Sequence, residues 1–517
     1  MNPLVLTIDL GTQSLRAVLV DRNGTILHMA RKKFEHPYFS PEPGWAEQDA
    51  DFYWEQLCEA CQELKSISGE HWERVRAVSL TTIRDSVLCV DKEGVPLHPV
   101  ILWLDRREAA LGEPLPRKSS LLYQAARMKK QVELIRKVSS CNWLRHHRPD
   151  IWEKTHKFVM LSTYLSYKLC GNMADSTASI VGHVPYDNKA GRWLKPGELN
   201  YCLFPVEESR LCDLVLPGEV LGDITEQASR ETGVRKGLPL IATGSDKGCE
   251  TLGLSCTTPE KAAISFGTTA TVQYTTPHYV EPQRFFPPYQ AAYKGRYNPE
   301  IEIYRGYWLI SWFKKEFAAK EVQQAKSLGV SAEDLLNHRL QEVPPGCEGL
   351  VFQPYFTPGV SMLNARGSVI GFSDVHTRIH IYRAIIEGIN FALMEGMHSI
   401  ERQMKKKTEA IYLAGGGSRS SEICQITADM FGLPVHRTQT HEAAAIGSSL
   451  IAFTSLGVFS NLEEGIHSMV HIRDVFYPTL HHHELYQKLY HQIYTKVFKK
   501  LQPLYSATKH LEANHGS

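Results

Sequence analysis

Two glycine-containing turns, each between two apolar stretches rich in β-forming residues, constrain the fold of this chain most strongly. The first, Gly11-Thr12-Gln13-Ser14, follows the apolar run 4–8 and precedes the run 17–20. A hairpin turn of this composition directs backbone N–H groups and hydroxyls to one point, which suits the terminal phosphates of a nucleotide and their metal ion. Alone, the pattern is equally compatible with an ordinary polar turn.

A second turn of this kind lies far downstream, at Gly267-Thr268-Thr269 between the runs 263–266 and 270–272. Asp9 and Arg16 add a carboxylate and a guanidinium at the margins of the first turn. We call the two turns the first and second phosphate clamps. Two clamps in separate halves of the chain predict a nucleotide held between two lobes.

The length of the chain predicts two domains. Its 517 residues exceed what one hydrophobic core usually supports, and each half contains one clamp. Strand-like runs, among them 75–81 and 410–413, alternate with helix-like runs such as 51–64 and 379–401, which indicates α/β layering. The strand 238–242 leads towards the second clamp, so we expect the boundary at about 250–262 and divide the chain into 1–252 and 253–517.

Composition narrows the range of partners. The 57 basic and 56 acidic residues nearly balance, so no charge excess indicates nucleic acid or an anionic membrane. No apolar run approaches the ~20 residues that a membrane span needs. Eleven cysteines without framework spacing are typical of reduced thiols. We therefore expect a cytoplasmic protein with a small-molecule partner, and a homodimer is the candidate oligomer.

Asp246 is the first candidate for catalysis. It ends the turn 243–246, which follows the apolar strand 238–242, so its carboxylate can project into a cleft between lobes. Phosphoryl transfer to a hydroxyl needs a carboxylate that orients the nucleophile and accepts its proton. A carboxylate that only caps a loop is the alternative interpretation.

A third glycine-rich turn, Gly415-Gly416-Gly417, follows the strand 411–413 and precedes a helix-like stretch. Without Cβ atoms, its backbone can approach a flat ligand closely, so a nucleotide base or ribose could lie there. Simple tight-turn geometry explains the same pattern.

An ordered set of motifs spans nearly the whole chain: DLGTQS (9–14), GWAEQD (44–49), ILWLDRR (101–107), DSTAS (175–179), GSD (244–246), SFGTT (265–269), the run 367–387 and AGGGSRS (414–420). In this order they resemble the FGGY family of carbohydrate kinases. The resemblance implies an α/β fold of two actin-like (ribonuclease H-like) ATPase domains that close on ATP and Mg²⁺. It also implies Asp246 as general base.

The resemblance assigns further roles by position. It implies that Asp9, with Asp246, serves the magnesium ion and that Arg16 lies near the transferring group. The residues it assigns to ATP are Gly11, Thr12, Gln13, Ser14, Gly267, Thr268, Thr269, Gly415, Gly416 and Ser420.

For the acceptor, the resemblance points to Arg84, Asp85 and Trp103, with Asp246 and Lys247 beside them. An Arg-Asp ion pair at a strand end is the structural alternative for the first two. Ile83, Asp85 and Lys247 depart from the residues that glycerol kinases carry there. The expected acceptor is therefore neither glycerol nor xylulose.

The sequence thus predicts an ATP-dependent kinase that transfers the γ-phosphoryl group to a hydroxyl of a small sugar or polyol. Three alternatives remain open: an actin-like or chaperone-like ATPase with a protein partner, a catalytically inactive sensor, and a glycerol or xylulose kinase proper. The ATPase would need no acceptor residues such as Trp103. Sequence does not name the acceptor.

Overall fold

The computed structural model describes residues 2–111, 113–357, 359, 362 and 364–515. The described residues form two six-stranded mixed sheets, one in each half of the chain, with helices packed around them. None of the helices in these ranges is long and apolar enough to cross a membrane.

The strands of the first half include those of the first large sheet, in the order β13-β14-β5-β1-β2-β3. Their bounds are β1 (Leu4–Leu10), β2 (Ser14–Asp21), β3 (Ile26–Lys33), β4 (Glu47–Gln48), β5 (Val75–Thr82), β6 (Val87–Val90), β7 (Val100–Ile101), β8 (Lys157–Met160), β9 (Ala174–Ser176), β10 (Tyr186–Asp187), β11 (Arg192–Trp193), β12 (Asp213–Val215), β13 (Val220–Asp223) and β14 (Pro239–Ile241).

The strands of the second half include those of the second large sheet, in the order β19-β16-β15-β22-β23-β24. Their bounds are β15 (Lys261–Phe266), β16 (Ala270–Gln273), β17 (Tyr289–Gln290), β18 (Tyr297–Asn298), β19 (Glu300–Ile303), β20 (Val351–Gln353), β21 (Ser368–Ile370), β22 (Ala410–Gly415), β23 (Val435–Thr438) and β24 (Ile472–Phe476).

The two large sheets repeat one pattern of strand pairing. Counted from β3 in the first and from β19 in the second, successive pairs are antiparallel, antiparallel, parallel, parallel and antiparallel. The first clamp connects the antiparallel strands β1 and β2, and the second clamp connects the antiparallel strands β15 and β16. The paired clamps therefore belong to two copies of one architecture.

The α-helices lie around these sheets and between them. Their bounds are α1 (Ala50–Ser68), α2 (Arg117–Ala125), α3 (Lys129–Lys137), α4 (Ser140–His147), α5 (Pro149–Lys154), α6 (Leu161–Cys170), α7 (Glu226–Thr232), α8 (Asp246–Gly253), α9 (Trp308–Phe317), α10 (Ala319–Leu328), α11 (Ala332–His338), α12 (Arg378–Met404), α13 (Ser421–Phe431), α14 (Ala443–Ser455), α15 (Leu462–Met469), α16 (Leu480–Leu489) and α17 (Thr495–His515).

Helices α8 and α14 join the halves at the centre of the molecule. A Cβ added to Gly253 would lie 1.9 Å from the Ala443 carbonyl oxygen, and one added to Gly447 would lie 1.9 Å from that of Cys249. The two backbones are therefore in direct contact. Helix α14 also packs on the first sheet, where its Ser449 hydroxyl lies 2.7 Å from the Thr7 hydroxyl.

The elements expected from the sequence are present with shifted ends. The helix expected at 51–64 is α1, and the helix expected at 379–401 is α12; each extends further at both ends. The expected strands 75–81, 238–242 and 410–413 correspond to β5, β14 and β22. The predicted two-domain α/β fold is confirmed.

Candidate active site

Three neighbouring parallel strands of the first sheet, β1, β5 and β14, end at one edge. The first clamp follows β1, the Arg84-Asp85 turn follows β5, and Asp246 follows β14. The carboxyl ends of parallel strands are where α/β sheets bind ligands. The Thr81 hydroxyl donates to the Gly244 carbonyl oxygen at 2.9 Å and links two of these ends.

The second sheet brings its own clamp and the glycine-rich turn together in the same way. Strands β15 and β22 are parallel, with Phe266 paired to Gly415, so the second clamp and the turn 415–417 leave adjacent strand ends. Five segments from different parts of the sequence are thus placed at two sheet edges.

The first clamp is a tight turn stabilised by its own backbone. The Gly11 N–H donates to the Ser14 carbonyl oxygen at 3.0 Å, and the Gln13 carbonyl accepts from the Phe34 N–H at 3.0 Å. Thr12 accepts a hydrogen bond of 3.0 Å from the Trp103 indole N–H. Trp103 therefore lies directly beside the clamp.

The second clamp is held by hydrogen bonds to the segment that follows β19. The carbonyl oxygens of Gly267 and Thr268 accept the N–H groups of Tyr307 and Trp308 at 3.0 and 3.2 Å, and the Thr269 hydroxyl donates to the Tyr304 carbonyl at 3.5 Å. All three clamp residues remain partly accessible. Neighbouring loops thus hold this turn from its carbonyl side.

The glycines of the third turn differ in the space around them. Gly415 has φ 78°, and a Cβ there would lie 2.7 Å from the Phe266 backbone, whereas a Cβ on Gly416 would meet nothing closer than 4.0 Å. Gly416 therefore faces open space that a ligand can fill. The Ser420 hydroxyl accepts the Ile423 N–H at 3.2 Å as the N-cap of α13.

Asp9 is buried in a cluster of charges behind the first clamp. Its carboxylate lies 3.3 Å from the Arg16 guanidinium, which also lies 3.1 Å from Glu442 at the start of α14. Burial raises the pKa of Asp9 to about 7, against the effect of Arg16; Glu442, Asp246 and Glu250 raise it further. A cation bound here would relieve this unfavourable charge.

Asp246 is the first residue of α8, whose N-cap is Ser245. One carboxylate oxygen accepts the Lys247 N–H at 2.8 Å, and a quarter of the side chain is exposed. Burial raises the pKa of Asp246, although Lys247 and Arg84 oppose the shift. A carboxylate with a raised pKa and an exposed edge is suited to accepting a proton.

Arg84 connects the two halves of the chain beside Asp246. Its guanidinium makes two hydrogen bonds, 3.0 and 2.8 Å long, to the Glu300 carboxylate on β19, and its Nε lies 3.9 Å from Asp246. The Tyr289 ring lies against it, with its centroid 5.4 Å away. The alternative interpretation, an Arg84-Asp85 ion pair, does not hold, because Arg84 pairs with Glu300.

Asp85 instead binds His183. Its carboxylate accepts the His183 backbone N–H at 2.9 Å and lies 2.6 Å from Nδ1 of the ring. Although burial opposes it, the Asp85 carboxylate raises the pKa of His183. Asp85 has φ 49°, and Gly182 leaves room for it, since a Cβ there would lie 2.2 Å from an Asp85 oxygen.

Lys247 extends from α8 towards the second sheet. Its ammonium lies 3.0 Å from Glu250 and donates to the Ser265 hydroxyl at 2.7 Å, near the second clamp. A Cβ added to Gly267 would lie 3.9 Å from this nitrogen. Lys247 therefore stands between the candidate base and the second clamp.

Sequence reasoning missed several residues of this site: His183, Glu250, Tyr289, Glu300, Glu302, Tyr304 and Glu442. Only Glu300 and Glu302 leave a visible signal, because two carboxylates two residues apart in a strand share one face. The others lie in loops, in the two-residue strand β17, within α8 or at the start of α14, where no sequence pattern marks them.

Comparison with known proteins identifies the family. The model of the FGGY family of carbohydrate kinases, N-terminal domain, matches residues 4–253, and that of the C-terminal domain matches residues 262–456. Together the two models match well over half of the chain.

Individual relatives agree with this assignment. The uncharacterized sugar kinase YgcE of Escherichia coli (strain K12) is 28% identical over 523 residues, covering 98% of this chain and 94% of that protein. Xylulose kinase of Lactococcus lactis subsp. lactis (strain IL1403) is 26% identical, covering 96% of each. The ligand-bound xylulose kinase structure from Lactobacillus acidophilus has the same fold, with a TM-score of 0.81, 21% identity, and coverage of 98% of this chain and 100% of that one.

Membership of this family favours a phosphotransferase with an alcohol group as acceptor over the actin-like or chaperone-like ATPase. The enzyme class predicted from the motifs is confirmed, and ATP is the phosphoryl donor that the family implies. The chain belongs to the FGGY family of carbohydrate kinases and is an ATP-dependent sugar kinase.

Proposed function

We propose that this enzyme transfers the γ-phosphoryl group of ATP to a hydroxyl of a small sugar or polyol, with Asp246 as general base. The observation that carries the proposal is the position of Asp246 between Arg84 on one side and Lys247, which reaches the second clamp, on the other. A hydroxyl bound beside Asp246 would face phosphates held by both clamps.

In this mechanism the acceptor hydroxyl donates a hydrogen bond to the Asp246 carboxylate. As the oxygen attacks the γ-phosphorus, its proton passes to Asp246 and the bond from phosphorus to the bridging oxygen breaks, which releases ADP. N–H groups and hydroxyls of the clamp residues Gly11 to Ser14 and Gly267 to Thr269 stabilise the phosphate oxygens. Arg16 supplies positive charge from behind the first clamp.

Magnesium fits the residues around Asp9. Within the described ranges, no group of three or more His, Cys, Asp or Glu side chains could hold a metal ion. Mg²⁺ usually binds through one or two carboxylates together with substrate phosphates and water, so Asp9 and Asp246 suffice as protein ligands. When bound, Mg²⁺ would neutralise phosphate charge.

The nucleotide and the acceptor occupy opposite ends of the cleft in this proposal. Gly415, Gly416 and Ser420 line the adenosine end, and the open space at Gly416 supports this assignment. Arg84, Asp85, Trp103 and Lys247 line the acceptor end. The departures at Ile83, Asp85 and Lys247 favour an acceptor other than glycerol or xylulose.

The proposal also covers the domain boundary, the cellular compartment and the oligomeric state. The domains meet between residues 252 and 253, at the end of α8. The compartment is the cytoplasm, which the free thiols of all eleven cysteines favour. A homodimer is the proposed oligomer.

A coupled assay of ADP formation tests the proposal against a panel of polyols, ketoses and aldoses. We expect ADP formation to depend on an acceptor and to differ strongly among panel members. ADP formation at one rate with every acceptor, and without any, would contradict a sugar kinase and favour an ATPase. A clear preference for glycerol or xylulose would show that the departures at the acceptor end are neutral.

A further inference from the structure

Strand β19 of the second half directs two carboxylates towards the acceptor end of the cleft. Glu300 and Glu302 are two residues apart and lie opposite Gln273 and Thr271 of β16. Alternate residues of a strand share a face, so both carboxylates point to the same side. Glu300 identifies that side, because it binds Arg84 and accepts a hydrogen bond of 2.6 Å from Gln273.

Glu302 differs from Glu300 in having no partner. Among the described residues, no hydrogen bond and no ion pair engages the Glu302 carboxyl group, although the side chain is half-buried. Its charged neighbours are Arg84, Glu300, Lys247 and Asp246. The Glu302 carboxylate therefore keeps its full capacity to accept hydrogen bonds from a ligand in the cleft.

The cations at this end of the cleft already have counter-charges. Arg84 is bound to Glu300 through two hydrogen bonds, and the Lys247 ammonium lies 3.0 Å from Glu250. These two pairs leave Glu302 without an ion-pair partner, and Asp246 shares Arg84 with Glu300 at the longer distance of 3.9 Å. The acceptor end therefore offers hydrogen-bond acceptors to a ligand and presents it with negative charge.

Resting on the proposed function, we propose that Glu302 binds the acceptor from the second domain and that the enzyme uses an uncharged sugar or polyol and rejects sugar acids. A hydroxyl group can donate to Glu302 and form a charge-assisted hydrogen bond. A carboxylate at the same position can donate nothing and is repelled by Asp246 and Glu302. Because Arg84, Asp85 and Asp246 belong to the first half, such an acceptor contacts both halves at once.

The test uses pairs of acceptors that differ only in charge: xylitol with xylonate, ribitol with ribonate, and arabinitol with arabinonate. We expect the wild-type enzyme to have a higher kcat/KM for the polyol in each pair that is used, by about tenfold or more. Glu302→Gln should lower kcat/KM for the polyol by about 10- to 100-fold, the magnitude of a lost hydrogen bond to a charged group. The substitution should also reduce the ratio of kcat/KM for the polyol to kcat/KM for the acid, and it should leave the KM for ATP unchanged.

Glu409→Gln is the matched control, because Glu409 is exposed and precedes β22 at the end of that strand remote from the Gly415 turn. Glu409→Gln should change neither the ratio of kcat/KM between polyol and acid nor the KM for ATP. Thermal melting without ligands checks folding, and Glu302→Ala replaces the glutamine variant if that variant is unfolded.

Two results would overturn the proposal while leaving a sugar kinase in place: preference for the acid in the pairs, or a Glu302→Gln enzyme with unchanged acceptor kinetics. Failure to phosphorylate every acid, polyol, ketose and aldose, with steady hydrolysis of ATP, would overturn the proposed function and this inference together.

Discussion

At the proposed nucleotide end of the cleft the chain presents main-chain groups, whereas at the proposed acceptor end it presents charged side chains. The two clamps and the turn at Gly415 are short segments that offer glycines and main-chain groups, and local strand and turn patterns are enough to predict them, although the segment 304–308 holds the second clamp from its carbonyl side. Arg84 and Asp85 owe their positions to Glu300 and His183, which are 216 and 98 residues away. The difference teaches that, in the proposed function, nucleotide binding follows from local sequence and acceptor choice follows from tertiary contacts.

This contrast explains what could be predicted from the sequence. The positions of both clamps, of the glycine-rich turn and of Asp246 at strand ends could be predicted, because strand, turn and helix patterns fix local backbone geometry. His183 leaves no local signal, and Glu300 and Glu302 leave only their alternation along β19, which a solvent-facing strand would also show. The partner of Arg84 could not be predicted for the same reason: Glu300 is distant in the sequence, and the neighbouring Asp85 binds His183 across the fold.

The largest expected effect is at the point where the two ends meet. Asp246→Asn should lower kcat by roughly 10²- to 10⁴-fold, the usual range for a lost general base, and leave ATP affinity nearly unchanged. Since burial raises the pKa of Asp246, its charge is unfavourable in the folded protein, and Tm should not fall. Steady-state kinetics measure kcat, nucleotide titration measures the affinity for ATP, and thermal melting measures Tm. Near-normal turnover would remove Asp246 from the base role.

A smaller effect is expected in the side-chain network of the acceptor end. Arg84→Ala removes a donor to the bound acceptor and leaves the acceptor's polar groups unpaired in a buried site, at about 1–3 kcal/mol, so kcat/KM for the acceptor should fall about tenfold to a few hundredfold. The KM for ATP should barely change.

The double variant Arg84→Ala/Glu300→Gln shows whether the pair acts as a unit. Its loss should be smaller than the product of the two single losses. Fully multiplicative losses would mean that the two residues act independently, against the network described here.

At the nucleotide end, a substitution should act by steric exclusion of the nucleotide and not by a change of charge. Gly416→Val fills space that is open in the free protein, so the KM for ATP should rise roughly tenfold, as for about 1–3 kcal/mol of overpacking. The KM for the acceptor should change far less, and Tm should be retained.

Gly417→Ala is the contrasting control. A Cβ there would lie 2.5 Å from the Tyr307 ring, so this variant should lower Tm. If Gly416→Val raised both KM values equally in a folded enzyme, the turn would be structural and the division of the cleft would fail.

The smallest effect concerns pH. Burial raises the pKa of Glu302 to about 7; Arg84 and Lys247 oppose the shift, and Glu300 and Asp246 add to it. A raised carboxyl pKa means that the group is neutral below this pH and charged above it. Discrimination against sugar acids should therefore be full above pH 7 and weaken as pH falls through about 7. The ratio of kcat/KM within each acceptor pair, measured from pH 6 to 8, tests this; a ratio independent of pH would contradict it.

Phosphorus NMR of a complete reaction tests the central claim most directly, because it reports where the γ-phosphoryl group goes. With ATP, Mg²⁺ and an accepted polyol or sugar, we predict that the wild-type enzyme forms sugar phosphate and ADP in equal amounts. The Asp246→Asn enzyme should form neither at a comparable rate while still binding ATP. Formation of inorganic phosphate and ADP at the same rate with and without the acceptor would contradict the account.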